Sequence, residues 1–272
     1  MLWWAGDRRQ WRSQCSFCSR RRSEVVAAGP GNGAKGNDPA DYIVPGSQAD
    51  KDYQAKLAGA ASYLAADIAA ISGGPDSPEP FSDNAVLGTQ SREQYKSYYC
   101  GPASGQVVIN YTRGVSSPNL DGQNAGTNYM VQTDLADAMG TDSGGTWGAD
   151  VASTVNEFAI TPYSGFYHFQ APGDGATFHS WAEYDIAGYG VPVVAEVVPH
   201  DQGVQYFLPN WPKVMTTNHF IVVRGYDGFW DGTDDPVMYY NDSASPSGPG
   251  RYTAGALTVW KVIKYAVAKV VW

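Results

Sequence analysis

Residues 93–111 read EQYKSYYCGPASGQVVINY: a glutamine, a lone cysteine and a Gly-Pro step ahead of an apolar run. Pro102 suits the first turn of a helix, where its missing N–H is harmless. Ala103, Val107, Val108 and Tyr111 then fall on one face. The stretch therefore predicts a helix over 102–112 with Cys100 at its mouth. A cysteine there is a small core residue, half of a disulfide, a metal ligand or a nucleophile. The orphan N–H groups and dipole of a helix N-terminus favour a thiolate. Gly101 removes a side chain where a substrate backbone would approach.

The other two cysteines of the 272-residue chain are Cys15 and Cys18. No second Cys or His pair lies nearby to complete a tetrahedral zinc site, and no strand–turn–helix pattern supports a redox motif. Residues 1–22 hold six arginines and one aspartate, without the continuous apolar core of a signal peptide. If that tail stands apart from the fold, Cys100 is a free thiol.

A net charge of −9 argues against a nucleic-acid partner, which would need a basic face. No apolar run of 18 residues exists to span a membrane. With 13% aromatic and 17% charged residues, the composition is that of a strand- and turn-rich globular protein. It suggests an extracellular or cell-envelope monomer with no cofactor.

Residues 1–47 form a basic, then Gly/Pro-rich tail that the composition predicts to be unstructured. Residues 48–82 hold a helix at 49–72 and the linker SGGPDSPEP. Tyr53, Leu57, Ala60, Leu64, Ile68 and Ile71 make that helix's apolar stripe. It is either a pro-segment over the cleft or a permanent part of the body. The main domain, 83–272, opens with helices at 102–112, 129–139 and 146–158. Strand patterns follow at 163–170, 191–198, 219–228, 237–242 and 258–267. A helical half followed by an antiparallel half predicts an α+β fold.

A thiolate nucleophile needs a base, and there are four histidines: His168, His179, His200 and His219. His219 opens the alternating strand HFIVVRGYDG, where it would be rigidly held. An imidazole needs an orienting acceptor, and VMYY runs into Asn241-Asp242. Strand alternation lets only one of those two face the site. Gln94, six residues before Cys100, is the better candidate for an oxyanion donor beside the Cys100 N–H, with Gln90 its competitor. Asp227, Asp231, Asp234 and Asp235 crowd one loop. They offer oxygen ligands for calcium but miss the EF-hand spacing, which favours a solvated hairpin loop.

QYKSYYCGPASGQVVINY, DIAGYGVPVVAEV (185–197), NHFIVVRGYDG and VMYYNDSAS resemble, in the same order, blocks of the C39-like cysteine peptidases. These are papain-like-fold proteins related to the bacteriocin-processing peptidase domain, and the resemblance covers roughly residues 85–272. It implies a peptidase acting on a peptide or protein substrate. It places the nucleophile on Cys100, the base on His219, the orienting carboxylate on Asp242 and the oxyanion donor on Gln94. Two positions depart from the family pattern: Asn218 stands where Gly usually precedes the histidine, and Ser243 where Pro commonly follows the aspartate. A non-catalytic binding module of the same fold, or a cell-wall amidase or transpeptidase using the same triad, fits the residues as well.

Overall fold

The computed structural model describes residues 45–72, 83–115, 129–200, 205–211, 217–230 and 235–272. Along them run α1 (Gln48–Ser72), β1 (Asn84–Val86), α2 (Cys100–Thr112), α3 (Gln132–Ala138) and α4 (Gly148–Phe158). Then come β2 (Phe169–Gln170), α5 (Gly175–Glu183) with a π-helical turn at Tyr184–Gly188, β3 (Val193–Val197), β4 (His219–Asp227) and β5 (Val237–Asp242). The chain ends with β6 (Gly250–Gly255), α6 (Ala256–Tyr265) and β7 (Val270–Val271).

The strands form one antiparallel sheet in the order β2-β7-β3-β4-β5-β6. β4 pairs with β3 over His219–Val223 and, past a bulge at Val223/Gly225, with β1 over Gly225–Asp227. A side chain at 225 would stand 2.7 Å from the Ala85 carbonyl oxygen, so glycine permits that change of partner.

Alternation along β4 splits the core between the two faces of the sheet. Ile221 and Val223 join Ala195, Tyr240, Phe178, Trp181, Val259, Trp260 and Ile263 under α5 and α6. Phe220 and Val222 join Val194, Val271, Val107, Val108, Leu135, Val151 and Val155 under α2, α3 and α4. The fold is α+β, a helical half followed by an antiparallel sheet. Among the described residues no helix is long and apolar enough to cross a membrane.

The strand half is less pure than the sequence predicts. Residues 258–267 lie largely in α6, not in a strand. Their Val and Ile read as β-formers, yet Val259, Trp260, Val262 and Ile263 are buried at helical spacing. Only Phe169–Gln170 of the 163–170 segment is extended. The short strands β1, β6 and β7 lie outside the predicted elements.

α1 packs against α5 and the π-helical turn. Ala60, Tyr63 and Ala66 are buried, and Tyr53 and Leu57 pack against the core from its edge. The unforeseen residue is Lys56, 1% exposed on the inner side of the helix. Its Nζ donates to Asp185 at 3.0 Å and to the Phe166 carbonyl at 3.2 Å, and lies 3.5 Å from the Phe166 ring centroid. Residues 1–44, which include Cys15, Cys18 and nearly all of the predicted tail, and the 73–82 linker lie outside the described residues.

Candidate active site

α2 begins at Cys100 with Tyr99 as its N-cap, and Tyr99 makes no side-chain capping bond. The first-turn N–H groups therefore keep their tendency to bind an anion. Cys100 is a free thiol, 9% exposed. The space beside Gly101 is not open, as the sequence suggested, because Thr146 fills it. A Cβ on Gly101 would stand 2.6 Å from the Thr146 side chain. One turn into α2, Ser104 Oγ donates to the Phe220 carbonyl at 3.4 Å. That bond ties the cysteine end of the helix to the residue after His219.

His219 is 4% exposed. Its Nε2–H donates to Asp242 Oδ1 at 2.8 Å, and Cys100 is among the groups that act on its ring. With Nε2 engaged, Nδ1 is the nitrogen left for the sulfur. Burial alone would disfavour an imidazolium here. The Asp242 charge and hydrogen bond, followed by the contact with Cys100, outweigh it and hold His219 well above the ordinary histidine range.

Asp242 is 1% exposed and accepts four hydrogen bonds. Oδ1 takes the His219 N–H and the Ala244 backbone N–H at 3.0 Å. Oδ2 takes the Asn210 amide at 2.8 Å and the Trp211 indole N–H at 2.7 Å. Burial pushes its carboxyl up. The His219 charge and hydrogen bond, with help from the Ala244 and Trp211 donors, reverse that and hold it below the usual carboxylate range. Asn241 pairs with Val222 and so faces the other side of the sheet, where its Nδ2 donates to Thr89 Oγ1 at 2.8 Å.

Gln94 lies against the same strand end. Its N–H donates to the Ser243 carbonyl at 3.0 Å, and its Oε1 accepts from Ser243 Oγ at 3.2 Å. Its Nε2 donates to the Lys96 carbonyl at 3.0 Å, which occupies one of two amide hydrogens. Gln90 lies elsewhere, lining a cavity with Arg92, Val107, Tyr111 and Val115 beside the later turns of α2. The two departures from the family pattern each have a polar partner: Ser243 holds Gln94, and Asn218 Nδ2 donates to Glu196 at 3.0 Å.

The remaining histidines are engaged elsewhere. Burial and then the Lys56 charge bring His168 down to about 4, beneath the Tyr53 ring. His179 lies 3.3 Å from Glu183 and packs on Tyr226. His200 Nδ1 pairs with the Trp211 carbonyl at 2.8 Å. Of the acidic loop, Asp235 accepts from the Leu257 N–H in the first turn of α6, and Asp231 and Asp234 lie outside the described residues.

Asn210 and Trp211 are the site residues that sequence reading missed. They sit in QYFLPNW, which has neither a helix nor a strand period. A Trp beside an Asn in an irregular segment carries no local signal of a partner on β5. Thiol, imidazole and carboxylate in series can pass a proton from sulfur to ring and hold the resulting imidazolium.

The model of the family described as "Peptidase_C39 like family" matches residues 86–268. No curated protein sequence matches significantly. Among solved structures, the chain is similar to a recombinant stem bromelain precursor, at 12% identity over 68% of this chain and 66% of that one, with a TM-score of 0.43. It therefore spans just under two thirds of that precursor. It is also similar to the bromelain protease from Ananas comosus in an inhibitor complex, at 11% identity over 67% of this chain and 92% of that one, with a TM-score of 0.39. A third similar structure is the proform of Amb a 11, a cysteine protease and major ragweed pollen allergen. There identity is 11% over 76% of this chain and 74% of that one, with a TM-score of 0.36.

Proposed function

The chain belongs to the peptidase C39-like family, and from that premise we propose that it is a cysteine peptidase cleaving peptide or related amide bonds. The observation that carries this reading is the buried His219 imidazole bonded to Asp242 at 2.8 Å, with Cys100 among the groups that raise its proton affinity.

In this reading the Cys100 thiolate attacks the substrate carbonyl carbon, and the electron pair of the C=O bond moves onto oxygen. The Cys100 backbone N–H and the free amide hydrogen of Gln94 receive that oxyanion. Collapse breaks the C–N bond while the His219 imidazolium gives its Nδ1 proton to the departing amine. A thioester to Cys100 remains. Neutral His219 then takes a proton from water as its oxygen attacks the thioester, and the acid product leaves as the Cys100–His219 pair re-forms. Asp242 keeps Nε2 protonated throughout, so Nδ1 is the nitrogen that trades protons. The composition supports work outside the cytoplasm.

The test is an active-site titration with iodoacetamide beside turnover of a mixed peptide library. Peptide cleavage that Cys100→Ala abolishes, and alkylation of Cys100 at pH 6 faster than that of a free peptide thiol, are the expected results. A Cys100 no more reactive than that thiol would end the peptidase reading.

A further inference from the structure

The residues around Asp242 reach beyond the triad. Asn210 and Trp211, 3% and 2% exposed, both donate to the same carboxylate oxygen, Oδ2, which leaves Oδ1 for His219 and Ala244. The Trp211 ring also packs on His219, with centroids 5.3 Å apart and planes at 54°.

Both donors are themselves held. Tyr240 OH donates to Asn210 Oδ1 at 2.6 Å, which fixes the amide with its NH2 toward Asp242. Ser245 and Ser247 hydroxyls donate to the Asn210 carbonyl at 2.7 and 3.1 Å. Leu208, fully buried, receives the Trp211 N–H on its carbonyl at 2.8 Å and donates its own N–H to Pro199 at 3.0 Å. The segment is anchored at each point where a slip would turn a donor away.

We propose that Asn210 and Trp211 are positioning residues of the catalytic dyad: their side-chain N–H groups hold Asp242 as an ionised acceptor turned toward His219, and the Trp211 ring keeps water from that bond. This rests on the peptidase reading above. A buried carboxylate with one oxygen unsatisfied tends to take up a proton, and a neutral Asp242 no longer holds an imidazolium. Neutral donors on Oδ2 favour the charge without competing for the imidazole. The titratable groups facing Asp242 among the described residues are His219 from β4 and Tyr240 from its own strand. Cys100 on α2 acts through His219, and His200 reaches the group only through the Trp211 main chain.

The experiment compares the parent with Trp211→Phe, which keeps a ring and loses the indole N–H, and with Asn210→Asp, which keeps the shape and replaces a donor by a second carboxylate. The rate of Cys100 alkylation is followed from pH 4 to pH 9, with kcat and KM for a cleaved peptide. The acid limb of both profiles should move to higher pH in Trp211→Phe, and further in Asn210→Asp. In Trp211→Phe kcat should fall about 10-fold with KM little changed, as for a group acting on chemistry and not on binding. If Asn210→Asp does not fold, Trp211→Phe decides alone. An acid limb that stays in place in folded Trp211→Phe, with an activated Cys100 in the parent, overturns the positioning role and leaves the peptidase reading standing. A parent Cys100 as slow as a free thiol removes the reading and the positioning role with it.

Discussion

His219 and Asp242 share a face of the sheet because Asp242 pairs with Ile221, two residues along β4 from His219. Diagonal neighbours of this kind lie within side-chain reach, and the Nε2–Oδ1 bond of 2.8 Å closes the gap. Asp242→Asn should keep the fold and lower kcat/KM about 10²–10⁴-fold, the range of a general acid–base contribution. Asp242→Ala should lose stability as well, because the buried Asn210 and Trp211 donors lose their acceptor, at about 1–3 kcal/mol for each unsatisfied group. Urea denaturation of the two variants beside their kinetics checks both statements. Equal stability of the two would contradict the four-donor account of Asp242.

The same pair sets a pH window for stability. His219 is held above its unfolded value of 6.5, so its contribution is complete below that pH and fades as pH rises through the raised folded value. Asp242 is held below its unfolded value of 3.8, so its contribution is complete above that pH and is lost as pH falls through the lowered folded value. Both contributions are complete only between those two unfolded values. The stability difference between the parent and Asp242→Asn should peak there and shrink on either side. A difference independent of pH from 3 to 9, measured by denaturation midpoints, would rule this out.

Gly101 tests how closely the nucleophile must be placed. A methyl group at 101 meets Thr146 at 2.6 Å, and Thr146 is braced by a 2.8 Å bond to Thr141. Either the start of α2 or the Thr146 strap must shift. A displacement of an ångström at a reacting group can cost about 10²-fold in rate. Gly101→Ala should therefore lose about that much in kcat/KM, and adding Thr146→Gly should recover most of it. No recovery in the double variant would mean that the loss arises elsewhere.

The two glutamines separate by location. Gln94→Ala should reduce kcat about 10²-fold or more with a small change in KM, as expected for a lost oxyanion donor. Gln90→Ala, at the cavity beside Val107 and Tyr111, should leave both near the parent values. Comparable losses in both variants would remove Gln94 from the oxyanion site.

How much of this was legible followed from the range of each signal. The α2 stretch and the strands HFIVVRGYD and VMYYND carry their own period, so Cys100, His219 and Asp242 could be placed on elements before any contact was known. Alternation also foretold that only one of Asn241 and Asp242 would share a face with His219. Residues 258–267 misled because Val and Ile suit a buried helix face as well as a strand. Thr146 beside Gly101, and Asn210 with Trp211 beside Asp242, come from irregular segments distant in sequence. Such contacts depend on tertiary packing and leave no periodic trace.

Lys56 is the residue whose sequence context said least and whose surroundings say most. It stands in the helix read as either a pro-segment or a permanent element, and it is buried against Asp185, Phe166 and Trp272. Burial draws Lys56 down to about 8 against the pull of Asp185, and pushes Asp185 up to about 6 against the pull of Lys56. Each charge is thus tolerated only because of the other. Removing one partner from such a pair typically costs about 3–5 kcal/mol, whereas replacing both by apolar residues is often neutral. Lys56→Met and Asp185→Leu should each destabilise by that order in urea denaturation, and the double variant should return close to the parent. A parent-like Lys56→Met would show that α1 is not held by this bond. A double variant as unstable as the worse single variant would show that the loss lies in packing and not in the unpaired charge.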